Sequence, residues 1–170
     1  MLGINQQKGV SLIELLVVMA IVIILTIMAV PLFTSFMNEF RLKATVQKLY
    51  YSLQYARSEA VKQNQAVYVS FQTSDNWCYG TNPASACTCS TPSGCSLGAT
   101  TAPRTQNLTL TVTGLTSNTL QFEGSRGAAG ASSVITFTVY GQTPTMSIKI
   151  TGLGNMIICS PNVSGYPACT

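Results

Sequence analysis

Six cysteines stand at positions 78, 87, 89, 95, 159 and 169 of this 170-residue chain, and they are the residues most capable of chemistry. Thiols in this number either bind zinc or form disulfides. Cys-x-x-Cys pairs, the usual grip on zinc, do not occur, and the chain has no histidine. An even set of cysteines without metal spacing predicts disulfides formed in an oxidising compartment. Cys78, Cys87, Cys89 and Cys95 fall between Trp77 and Arg104, a stretch rich in Ser, Thr, Pro and Gly. It reads as a loop too polar to build a core, held by its cross-links. Cys87 and Cys89 lie too close for an easy mutual bond, so each is expected to pair elsewhere. Spacing does not choose the partners.

Other chemistry is excluded more directly. Without histidine there is no Ser-His or Cys-His nucleophile. The five acidic residues are dispersed, which leaves no paired carboxylates and no metal cluster. No Walker-type phosphate loop occurs, and Gly124-Ser-Arg-Gly-Ala-Ala-Gly130 reads as a flexible hairpin loop. The expectation is therefore no cofactor, no metal and no catalytic site. The net charge of +4 is mild. Its positive residues are spread from Arg41, Lys43, Lys48, Arg57 and Lys62 to Arg104, Arg126 and Lys149, which gives no argument for nucleic acid.

Glu14 is the remaining anomaly. Only 8% of residues are charged while 46% are hydrophobic, and mean hydropathy is +0.31. No charge falls between Leu15 and Asn38, and Leu15 to Val30 is almost wholly aliphatic. With Pro31, Leu32 and Phe33 this run approaches the ~20 residues that cross a bilayer, and it shows no polar face. Lys8 and the free amino terminus place its N-terminal end on the cytoplasmic side. A secretory signal would be shorter and end in a small-residue cleavage site. A plain signal anchor leaves Glu14 unexplained. A carboxylate at the mouth of such a helix is costly, up to about 2.5–3.5 kcal/mol at the bilayer centre and less near the interface. Taken alone, it is accounted for by snorkelling or by the positive helix N-terminus.

Its context says more. The stretch Lys8-Gly9-Val10-Ser11-Leu12-Ile13-Glu14-Leu15-Leu16-Val17-Val18-Met19-Ala20-Ile21 closely resembles the prepilin processing motif of type IV pilins and type II secretion pseudopilins. The resemblance implies a leader, residues 1–9, removed between Gly9 and Val10 by a membrane prepilin peptidase. It implies methylation of the new amino group of Val10 and makes Glu14 the fifth mature residue. Val10 stands where phenylalanine is usual, which lowers the processing efficiency expected. Glu14 would then meet the terminal ammonium of an adjacent subunit. A buried pair need not stabilise, but a misplaced subunit would leave both charges unpaired, so the pair could gauge register. Pro31 falls where the pilin helix bends, and it removes one backbone hydrogen bond there. The partners implied are other pilin or pseudopilin subunits, the prepilin peptidase and an inner-membrane assembly platform. Pilins often close a C-terminal disulfide loop, which would pair Cys159 with Cys169. The rival arrangement ties either one back to the 78–95 cluster.

The elements that must carry these residues follow from periodicity. Leu42, Val46, Leu49, Leu53, Ala56 and Ala60 recur in steps of four and three, an amphipathic helical stripe. Arg41, Lys43, Lys48, Arg57, Glu59 and Lys62 form its polar face. A helix from Ser11 to about Gln63 would span roughly 80 Å at ~1.5 Å per residue. Beyond Gln65 the period becomes two. Strands are predicted at Ala66–Phe71, Leu108–Val112, Val134–Val139, Ser147–Ile150 and Met156–Cys159, with a weaker one at Thr119–Phe122. The expected fold is α+β: one long N-terminal helix, half membranous and half amphipathic, on an antiparallel sheet with disulfide-held loops. Its expected parts are a leader (1–9), a membrane and filament-core helix (10–33), an amphipathic continuation (34–64) and a periplasmic β-sheet domain (65–170).

Leu53-Gln-Tyr-Ala-Arg-Ser-Glu-Ala-Val-Lys-Gln-Asn64 further resembles the helix end of H-type minor pseudopilins and FimT/FimU-type minor pilins, as in the GspH group. Some FimT-type members bind DNA through a C-terminal Gly-Arg-x-Arg motif. The corresponding Gly154-Asn155-Met156-Ile157 lacks both arginines, so that activity is not carried over. The function implied is a minor pilin that primes, caps or decorates a type IV pilus. The alternatives are an H-type pseudopilin of a type II secretion system and a pilus-tip subunit that binds DNA or a surface. Each is a single-pass inner-membrane protein before assembly, with the globular domain periplasmic.

Overall fold

The computed structural model describes residues 11–73, 76–91, 93–102, 107–141 and 143–169; at positions 28–32 it describes the backbone alone. The chain divides into two compact units, Met1–Met37 and Asn38–Thr170.

The first unit is built on the N-terminal part of α1, a helix that runs over Leu12–Gln63. From Leu12 to Ile27 its large apolar side chains are all exposed, on every side of the helix. Such a surface needs an apolar environment that the unit itself does not supply. Among the described residues, no helix is long and apolar enough to cross a membrane. The apolar sequence continues through positions 28–32, whose side chains are not described.

The second unit holds the core. Leu42, Val46, Leu49, Leu53, Ala56 and Ala60 are each 0% exposed, so the whole predicted stripe faces inward. Burying one leucine side chain is worth roughly 1.5–3 kcal/mol. The helix stops at Asn64, which takes a left-handed φ of 49° while the Gln65 amide donates back to Ala60 O at 3.1 Å. This is a helix-ending turn that glycine usually provides and asparagine tolerates.

Among the described residues eight strands follow: β1 (Val67–Gln72), β2 (Cys78–Pro83), β3 (Ala99–Thr101), β4 (Leu108–Thr113), β5 (Thr119–Phe122), β6 (Ser133–Val139), β7 (Thr145–Ile150) and β8 (Met156–Cys159). They form two antiparallel four-stranded sheets, ordered β3-β2-β1-β5 and β4-β6-β7-β8. The architecture is the expected α+β one, but the single sheet read from the sequence is two. β6 alternates strictly between buried and half-buried positions, the signature of a strand with one face on the core. Trp77 joins the sheets: its indole N–H donates to Leu108 O at 2.9 Å, and its ring meets Phe137 edge-on at 5.1 Å.

The stretch from Trp77 to Arg104 is not wholly loop, and this corrects the sequence reading. It contains β2 and β3. Gly80, Asn82 and Pro83 spell a turn locally, yet β2 pairs with β1 at all six positions from Val67↔Pro83 to Gln72↔Cys78. The long-range ladder and the cover of two disulfides override local propensity. Gly80 is required for that cover, since a Cβ there would collide with Cys95 Sγ.

Candidate functional site

The processing motif comes first. Gly9 and Val10, the expected cleavage and methylation positions, lie outside the described residues. Ser11 precedes the helix, and the Leu15 amide donates to its carbonyl at 3.1 Å, closing the first turn. Glu14 sits in that turn and is exposed. Ser11-Leu12-Ile13-Glu14 also has capping-box spacing, a signal the sequence reading passed over. No reciprocal side-chain cap forms among the described residues. The carboxylate is therefore not used up locally, and it stands where the helix dipole favours negative charge.

α1 continues through Pro31. Pro31 cannot donate to the Ile27 carbonyl one turn earlier, and Thr26 Oγ1 turns back to bond Val22 O. Back-bonding of this kind also loosens a helix. The expected bend at Pro31 is not a break in the helix here.

The cysteines form three disulfides. Cys78 pairs with Cys89, Cys87 with Cys95, and Cys159 with Cys169, with Cα–Cα separations of 5.7, 5.3 and 5.0 Å. Cys87 and Cys89 bond elsewhere rather than to each other, and neither C-terminal cysteine reaches back to the 78–95 cluster. The first two bridges interlock, so residues 84–91 and 93–98 fold back beside β1 and β2; the Cys87 amide donates to Ser70 Oγ at 3.0 Å. Tyr166, inside the C-terminal loop, accepts from Gln47 Nε2 of α1 at 3.0 Å.

Two charged residues of the predicted polar helix face are anchored within the protein. Glu59 is only 8% exposed; it accepts from Gln63 Nε2 and pairs with Lys62 at 3.5 Å. Arg57 Nε donates to Gly127 O at 3.0 Å. Gly154, at φ +80°, lies against the same group: a Cβ there would collide with Gly127 O and stand 3.1 Å from Arg57 Nε. The segment reading as a flexible hairpin loop is thus a tight turn, closed by Gly127 N to Glu123 O at 2.8 Å and Glu123 N to Ala128 O at 2.9 Å. Gly154 is structural, and Asn155 and Ile157 occupy exposed positions where DNA-binding relatives would carry arginine. Among the described residues, no three potential ligands converge on a metal position.

The comparisons with known proteins match both halves of this picture. The family model described as type II transport protein GspH matches residues 45–154, and the prokaryotic N-terminal methylation motif matches residues 4–30. No curated protein matches the sequence. Among solved structures, the type IV minor pilin FimU of Pseudomonas aeruginosa aligns with a TM-score of 0.56 at 21% identity, over 72% of this chain and 93% of that one. The minor pseudopilin EpsH of the Vibrio cholerae type 2 secretion system aligns with a TM-score of 0.55 at 17% identity, over 72% of this chain and 98% of that one. At these identities the structures speak for the fold alone. With an N-terminal methylation motif ahead of a GspH domain that covers well over half of its length, this chain belongs to the family described as type II transport protein GspH.

Proposed function

We propose that this chain is a minor pilin that primes, caps or decorates a type IV pilus. Prepilin peptidase removes residues 1–9, Val10 becomes the methylated N-terminus, and residues 10–33 hold the subunit in the inner membrane until the assembly platform transfers it to the filament. Residues 34–64 continue the same helix and residues 65–170 form the periplasmic domain. The subunit is structural and catalyses nothing. One observation carries this reading: a methylation motif over residues 4–30 and a GspH domain over 45–154 occur in one chain. The two interlocked disulfides over sheet β3-β2-β1-β5 add a rigid surface suited to a subunit that leaves the cell.

Intact mass of the protein from membranes and from sheared filaments tests the reading. A polypeptide beginning at methylated Val10 in both fractions supports it; an uncut chain, or absence from the filaments, overturns it. The second reading, an H-type pseudopilin of a type II secretion system, is favoured by the description of the matching family. Deleting the gene separates them. Loss of pili with secretion intact supports the first, and the converse supports the second.

A further inference from the structure

Within the second unit, a groove of about 410 Å³ lies between α1 and the end of the first sheet. Lys48, Tyr51 and Tyr55 line it from the helix, and Tyr79, Ala99 and Thr100 from β2 and β3. Tyr51 and Tyr55 are one turn apart and 68% and 51% exposed, on the side of α1 away from the buried stripe. Tyr79 is the opposite case: it is 3% exposed, and its hydroxyl is buried without a hydrogen-bond partner. Native interiors seldom leave such a group unpaired.

The strand beside the groove is also unfinished. Among the described residues, β3 is the last strand of its sheet. Thr100 pairs with Tyr79, and the Ala102 amide donates to Trp77 O at 2.8 Å, which sets the phase of the ladder. The main-chain groups of Thr100 therefore face β2, and those of Ala99 and Thr101 face the open edge. An open edge is a template for another strand. Among the described residues, Lys48 is the only charged side chain lining the groove, and it makes no ion pair there.

We propose that this groove seats an extended segment of a neighbouring filament subunit. The segment adds to the β3 edge, places an apolar or aromatic side chain between Tyr51 and Tyr55, and sets a carboxylate against Lys48. The proposal rests on the filament reading given above. Main-chain bonds at a sheet edge with side-chain pockets beside it are a general mode of peptide recognition. Exposed tyrosines among Ser, Thr and Gly are the composition of protein-binding surfaces. A single cation fits one carboxylate and is too little for a polyanion.

The test replaces Tyr51 with photoreactive p-benzoylphenylalanine in the full chain, expressed in its own cells, with Thr113 on the other sheet as the control position. Filaments are sheared, irradiated and mapped by mass spectrometry. The expected result is a crosslink from position 51 to an extended, acid-containing segment of another filament subunit. Tyr51→Ala combined with Tyr55→Ala should lower the amount of the subunit in filaments about tenfold. Ala99→Pro, which removes an edge N–H and spares the pairing of Thr100, should do the same. The docking is wrong if the subunit enters filaments and position 51 crosslinks only to lipid or to its own chain. It is equally wrong if a folded Ala99→Pro protein incorporates normally. If Ala99→Pro fails to fold by circular dichroism, the crosslink decides. Absence of the unaltered subunit from filaments overturns the filament reading, and the docking with it.

Discussion

Arg57 Nε donates to Gly127 O at 3.0 Å, a bond between residues 70 positions apart that ties the last turns of α1 to the turn after β5. Gly154 closes over the same carbonyl, so three distant segments meet at one guanidinium. Removing the donor leaves a half-buried carbonyl unpaired and strips a long side chain from the joint. Arg57→Ala should therefore lower unfolding free energy by about 1.5–3 kcal/mol. Arg57→Lys should restore little of it, because a terminal ammonium cannot reproduce an Nε–H donor geometry. Gly154→Ala should be at least as costly, since its added methyl meets backbone at a positive φ. Urea unfolding of the full chain in detergent, followed by tryptophan fluorescence, measures all three; Trp77 is the only tryptophan and is buried.

The same assay separates the two faces of α1. Leu49→Ala and Leu53→Ala remove fully buried side chains and should cost about 2–5 kcal/mol each. Tyr51→Ala lies between them on the opposite, exposed face and should change stability by no more than about 0.5 kcal/mol. Equal losses at all three positions would sink the assignment of faces.

The contrast between those positions shows what was legible in the sequence. The helical stripe could be read because every member obeys one local period, and β6 could be read because its alternation is strict. β2 could not, because Gly80, Asn82 and Pro83 favour a turn and only the ladder to β1 outweighs them. The motif around Glu14 was legible as a charge out of place in an apolar run. Arg57 was not, since a cation on the polar side of an amphipathic helix looks solvated until Gly127 is brought beside it. Long-range partners of this kind leave no local trace.

Disulfide removal should distinguish the two cross-linked regions. Replacing Cys159 and Cys169 together by serine frees a loop that docks on α1 through Tyr166, and should cost about 2–4 kcal/mol. Replacing Cys78 and Cys89 should cost a similar amount. It should also expose the Cys87–Cys95 bridge to reductant, because the remaining link alone must hold residues 84–91 and 93–98 beside β1 and β2. Peptide mapping under non-reducing conditions checks the pairing itself: a Cys87–Cys89 peptide, or any peptide joining Cys159 or Cys169 to the 78–95 cluster, contradicts it.

Glu14 carries the assembly prediction. Its carboxylate is exposed in the first turn of α1 and forms no side-chain cap among the described residues, so it is available to a partner outside the subunit. Glu14→Gln keeps the size and hydrogen-bonding capacity of the side chain and removes only its charge. If the partner is the terminal ammonium of a neighbouring subunit, the variant should be cut after Gly9 and methylated on Val10 as usual. It should then accumulate in the membrane and fall at least tenfold in sheared filaments, a difference of about 1.4 kcal/mol. Glu14→Asp keeps the charge on a shorter arm and should recover part of the loss. A helix-dipole role predicts otherwise: a loss near 0.3–1 kcal/mol in stability and little change in assembly. Gly9→Leu gives the control at the other end, because blocking cleavage withholds the ammonium and should abolish assembly even with Glu14 intact. If Glu14→Gln enters filaments at the normal level while Gly9→Leu does not, assembly needs cleavage for a reason other than the charge pair, and that pair does not set the register.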